Sequence, residues 1–70
     1  MNLTEQKVRN ENARNQIEKV VKENGIKWTF VADKLSMKLP NVTNWRKGLY
    51  MFGENRLDQV EALIRKYNNM

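Results

Sequence analysis

Apolar side chains recur along this chain at helical spacing. Between Asn12 and Asn24, Ala13, Ile17, Val20 and Val21 fall at i, i+4, i+7 and i+8, one stripe of a helix. Glu18 and Lys22 stand four apart on another face, in the favourable order. Asn24-Gly25 supplies a stop, because glycine accepts the left-handed conformation that closes a helix, and Ile26 follows as an apolar anchor. Trp28, Val31, Ala32 and Leu35 then fall at i, i+3, i+4 and i+7 and predict a second helix. Ser36-Met37-Lys38 breaks that pattern, with Met37 expected to plug the core at the turn. A third helix is predicted from Leu39 to Lys47. Pro40 places its start, since a proline in the first turn lacks only an N–H that would have no partner there. Val42 and Trp45 face inward, Asn41, Thr43, Asn44 and Lys47 face outward, and Gly48 ends the helix. The apolar run Leu49-Tyr50-Met51-Phe52 is too short for an independent strand. From about Glu54 to Tyr67 a last helix carries Leu57, Val60, Leu63, Ile64 and Tyr67 as its inner stripe. Glu54 at its start and Arg65 and Lys66 at its end match the helix dipole.

The ends of the chain are polar. Residues 1–11 read as a flexible N-terminal extension, frayed or loosely continuing the first helix, and residues 68–70 as a tail. Residues 12–67 form the expected domain. No strand signal, repeat or low-complexity linker interrupts it, so the predicted class is all-α, with four to five helices. Seventy residues suffice for one domain. Such a chain hides only ~60% of its unfolded surface, so helix packing or a partner subunit must supply stability.

Composition narrows the chemistry. There is no cysteine and no histidine. Disulfides, thiolate metal sites, and the commonest metal ligand and general base are therefore absent. No Gly-rich phosphate loop or pocket-forming pair of acids is legible, so no enzyme activity, cofactor or metal is expected. No run of 18 apolar residues and no signal-peptide core appear, which gives a cytoplasmic expectation with no membrane partner. The net charge is +5, and its placement says more than its size. Residues 1–25 contribute +1, residues 26–49 contribute +4, and residues 50–70 balance to zero. A basic excess inside a motif that meets phosphates points to nucleic acid, whereas a solvated lysine face is the plain alternative.

Two helices joined by a turn of about four residues are the layout of a helix-turn-helix, here about residues 28–47. The segment Gly25 to Gly48 resembles the Cro and lambda-repressor-like helix-turn-helix family, of the xenobiotic-response-element type. The resemblance rests on Ile26, Val31-Ala32-Asp33-Lys34-Leu35, Met37, Val42, Thr43, Trp45 and Gly48. With the flanking helices it covers roughly residues 13–67. Three positions depart from the family pattern. Ser36 stands where the family usually has a turn glycine, and a serine in a left-handed conformation costs roughly 1 kcal/mol. Lys27 and Trp28 replace a hydroxyl cap and a glutamine that meets phosphate. Arg46 replaces a glutamate after the aromatic residue.

The resemblance implies a sequence-specific regulator of phage or bacterial type, acting by operator occupancy, with the third helix in the major groove of double-stranded DNA. By alignment, the groove-facing positions are Leu39, Asn41, Thr43 and Asn44, with Lys38 and Pro40 beside them. Asn44 can pair with an adenine edge, and Thr43 or Leu39 can lie against a thymine methyl. Phosphate contacts are expected from Lys27, Trp28, Lys38, Lys47, Tyr50 and Arg14. Alternatives stay open at several of these. Leu39 and Pro40 can instead be a turn-packing pair, Trp28 can cover the core, and Tyr50 can be half-buried packing. A homodimer on a pseudo-palindromic operator is expected, its surface coming from Leu49, Met51 and Phe52, the last helix or the tail. The same run can instead complete the core. The competing function is a small phage-type protein-interaction module on the same fold, favoured by Leu39, Pro40 and the Leu49–Phe52 run.

Overall fold

The computed structural model describes residues 2–69. It contains four helices, α1 (Leu3–Asn24), α2 (Trp28–Lys34), α3 (Leu39–Arg46) and α4 (Glu54–Asn68), with no strand among the described residues. The all-α expectation holds.

Helix α1 starts nine residues earlier than the apolar stripe suggested. The side chain of Asn2 accepts a hydrogen bond from the Glu5 N–H at 2.8 Å, an N-cap that satisfies one free donor of the first turn. The residues expected to be a flexible extension are therefore helical from Leu3. Polar contacts dock their inner face: Gln6 Nε2 donates to the Phe52 carbonyl at 3.1 Å, and Arg9 reaches Asp58 and Glu61 on α4. Met1 and Met70, the outer ends of the expected extension and tail, lie outside the described residues. Asn68 belongs to α4, not to a tail.

Three of the helices end in the same device. After α1 the N–H of Ile26 bonds back to Val21 O, after α2 that of Met37 to Ala32 O, and after α3 that of Leu49 to Asn44 O. Each is the six-to-one bond of a Schellman motif, which requires a left-handed residue just past the helix and favours an apolar residue after it. Gly25 (φ +62°), Ser36 (φ +54°) and Gly48 (φ +79°) are those residues. Ser36 is the one that a side chain strains, as the comparison with the family's turn glycine implied.

The core forms where α1 packs along α4 and both close over α2 and α3. Ile17, Leu35, Leu57 and Val60 are fully buried, each contributing ~1.5–3 kcal/mol relative to exposure. Trp45, 0% exposed, stands at the centre. Phe52 stacks on it, ring centroids 4.3 Å apart and planes within 10°. Phe52 is 3% exposed, so it completes the core and does not belong to the expected dimer patch. Such an aromatic pair adds about 0.5–1.5 kcal/mol beyond the area it buries.

Candidate nucleic-acid interface

Helices α2 and α3 are held at a fixed turn, residues 35–38. Leu35 is buried, Ser36 reverses the chain, and Met37 is half-buried against the core. Lys38 then adopts an extended conformation at the N-cap of α3, with Pro40 in the first turn. On α3, Val42 and Trp45 are fully buried. Leu39, Pro40, Asn41 and Asn44 are exposed and Thr43 is half-buried. The four expected base-reading side chains thus share the outward arc of one short helix.

An asparagine on α1 fixes where that helix sits. Asn10 is 0% exposed, and its amide fills its whole hydrogen-bonding capacity. Its Oδ1 accepts from the Trp45 indole Nε1 at 2.8 Å and from the Phe52 N–H at 2.7 Å. Its Nδ2 donates to Gln6 O at 2.7 Å and to Phe52 O at 3.1 Å. This residue was missed at the level of sequence, where it fell in the flexible extension. A usable signal existed: Asn10 precedes Ala13 by three and Ile17 by seven, in register with the apolar stripe.

Three of the expected phosphate ligands are placed otherwise. Arg14 Nε donates to Trp45 O at 2.6 Å and its Nη2 to Tyr50 O at 2.9 Å. Its guanidinium lies 5.5 Å from the Trp45 ring centroid. Arg14 therefore clasps the carbonyl end of α3, where the helix dipole favours a cation. Trp28 is half-buried against the core, and the Arg46 guanidinium lies over its ring, 3.8 Å from the centroid. Covering the core is thus the outcome for Trp28. Tyr50 donates its hydroxyl proton to the Asn41 carbonyl at 2.7 Å and meets Phe52 edge-on. Partial burial pushes the Tyr50 hydroxyl pKa up, against the opposing pull of Arg56, so it stays a donor to that carbonyl.

The charge distribution sharpens when ion pairs are drawn. Arg46 contacts Glu18 at 3.2 Å, Arg9 contacts Asp58 and Glu61 at 2.5 and 2.7 Å, and Lys19 contacts Glu23 at 3.9 Å. Lys27, Lys34, Lys38 and Lys47 are exposed and none forms an ion pair among the described residues. Lys34 lies over the Phe30 ring at 5.4 Å. Across residues 26–49 only Asp33 opposes these four lysines. Lys27 sits at the start of α2, and Lys38 and Lys47 at the two caps of α3.

No known family's model, no curated protein and no solved structure matches this chain. The site must therefore be read from its own chemistry. Among the described residues no group of three metal-ligating side chains gathers, and no helix is long and apolar enough to cross a membrane. Of the expected dimer patch, Leu49 is 70% exposed and Met51 is exposed too, beside Tyr50.

Proposed function

We propose that this chain is a sequence-specific double-stranded DNA-binding regulator of the Cro and lambda-repressor-like helix-turn-helix type. In this reading α3 lies in the major groove and α2 crosses behind it. One observation carries the reading. The outward arc of α3 offers uncharged side chains of base-reading chemistry, and the lysines at its caps and at the start of α2 have no ion-pair partner among the described residues. Such an arrangement separates the two tasks of DNA recognition, phosphate contacts that position and base contacts that specify.

With Arg14, Trp28 and the Tyr50 hydroxyl engaged inside the protein, Lys27, Lys38 and Lys47 are the phosphate ligands. Three contacts give a log–log salt slope of about −2.7 for one subunit and twice that for two. Two copies on a two-fold related site double a small contact set, and we assign the chain that homodimeric mode, acting by occupancy of an operator. Selection from random duplex DNA, followed by affinity measurements between low and moderate salt, tests the reading. Binding should weaken steeply with salt and fall with Asn44→Ala. Affinity indifferent to both would refute it.

The exposed apolar run Leu49-Tyr50-Met51 favours a second reading, a protein-interaction module on the same fold. Leu49→Glu with Met51→Glu separates the two. Unchanged operator binding by a monomer would assign the run to a protein partner, whereas loss of dimeric DNA binding assigns it to the homodimer.

A further inference from the structure

Thr43 decides what α3 can read. Its Oγ1 donates to the Leu39 carbonyl one turn back, at 3.1 Å. This back-bond is one that helical threonine makes readily. It spends the single hydroxyl hydrogen on the helix itself, and the Cγ2 methyl is the group left without a polar commitment. At 3.6 residues per turn, Thr43 lies between Leu39 and Pro40 around the helix. Leu39 is 37% exposed and Pro40 is exposed. The three make a strip of carbon along the N-terminal half of α3. Beside it stand the amides of Asn44 and Asn41, both exposed, neither with a side-chain hydrogen bond among the described residues. No charged side chain occurs from Leu39 to Asn44, and Lys38 and Lys47 sit at the caps, outside the strip.

Base chemistry matches this division. Guanine is read by arginine or lysine at O6 and N7, adenine by asparagine at N6 and N7, and thymine by apolar contact with its C5-methyl. We propose that α3 reads a short run of A·T pairs, with thymine methyls seated on Leu39, Pro40 and Thr43 and an adenine edge on Asn44. The inference rests on the DNA-binding reading above and specifies the class of sequence bound. Phosphate steering by Lys27, Lys38 and Lys47 is indifferent to sequence, so discrimination falls to this strip.

Replacement of thymine by deoxyuridine tests it, because only the methyl group is lost and pairing is kept. Duplexes selected from a random pool should carry A·T pairs at the core of each half-site. Each contacted thymine changed to deoxyuridine should weaken binding about fourfold, the value of one buried methyl group. Thr43→Ser, which keeps the hydroxyl and removes the methyl, should abolish the thymine-over-uracil preference at one position. Thr43→Val, which keeps the methyl, should preserve it, and Leu39→Ala should abolish it at another position. Leu39 is exposed and Thr43 half-buried, and matching thermal midpoints verify that each of the three variants is folded. A G·C core, a wild-type thymine-to-uracil ratio near one, or an unchanged ratio in Thr43→Ser overturns the proposal while leaving DNA binding intact. Failure to select any sequence overturns the regulator reading itself, and this one with it.

Discussion

Replacing Asn10 by leucine should unfold this domain or bring it to the edge of unfolding. The two side chains share a branched shape, but leucine's methyl groups are larger than the amide nitrogen and oxygen they replace, so at this buried site overpacking adds to the polar cost. The change removes the acceptor that the Trp45 indole N–H and the Phe52 N–H share, the only one either has among the described residues. Both donors are then buried without partners, at ~1–3 kcal/mol each. The Phe52 carbonyl keeps its bond from Gln6 Nε2, so the acceptor side is partly spared. The net loss is about 2–6 kcal/mol, less a modest gain from the added apolar surface. A chain of this length has only about 3–10 kcal/mol in total, at the usual stability per residue. For a small domain each kcal/mol moves the thermal midpoint by about 4–8 °C, so a fall of 10 °C or more is expected in circular dichroism melts. Tryptophan fluorescence should follow the same transition. Asn10→Asp supplies an internal control. It keeps the acceptor but places a carboxyl beside the Gln6 and Phe52 carbonyls, where burial raises its pKa in the folded state. A raised folded pKa favours the fold at low pH and withdraws that support as pH rises, so this variant should melt higher near pH 4 than near pH 7. A midpoint for Asn10→Leu within about 3 °C of the parent would refute the reasoning and reduce Asn10 to a spectator.

Other expectations follow from the same geometry. Ser36→Gly relieves a left-handed serine and should stabilise by ~1 kcal/mol, a rise of about 4–8 °C in the thermal midpoint; no rise would mean that the turn carries no strain. Glu61 is held below its ordinary pKa first by its hydrogen bond from Arg9. Its contribution is therefore present above the ordinary glutamate value of about 4.3 and is lost as pH falls through the depressed folded value. Arg9→Met should lower the midpoint at neutral pH and flatten the dependence on pH in that acid range; parallel curves would disprove the coupling. Arg14→Lys breaks a forked clasp on the Trp45 and Tyr50 carbonyls and should cost about 1–3 kcal/mol, measured by chemical denaturation.

How much of this was legible in the sequence depended on the kind of residue involved. Apolar stripes and helix stops translated directly, because periodicity and left-handed glycines act locally. The two inward side chains of α3, Val42 and Trp45, were read correctly on those grounds, whereas the left-handed Ser36 was expected only from the comparison with the family's turn glycine. What escaped were polar residues whose partners lie far along the chain. Asn10, Gln6 and Arg9 look like solvated surface in an asparagine-rich stretch. Their partners stand 35 to 52 residues away, a separation on which local pattern is silent. Phe52 was ambiguous for a related reason: four adjacent apolar residues cannot all face inward, and only the stack on Trp45 decides which one does. Arg14 was expected at phosphate, and Tyr50 there or in half-buried packing, because a long polar side chain near α3 fits such roles equally well. Backbone carbonyls at the end of α3 and at Asn41 take them instead.

The clasp between α1 and α4 has a consequence for how the protein is made. Arg9 meets Asp58 and Glu61, and Asn10 meets Phe52, so contacts spanning 42 to 52 residues must close before Trp45 has a fixed seat. Contacts that close such long loops form late in folding. During translation α3 leaves the ribosome with α1 and Phe52 already made but without α4, whose Leu57, Val60, Leu63 and Ile64 complete the core around Trp45. A chain terminated at Gly53 should show little ordered helix by circular dichroism and be cleared by proteases. Truncation would then yield a silent product, with no half-active fragment to compete with the finished protein.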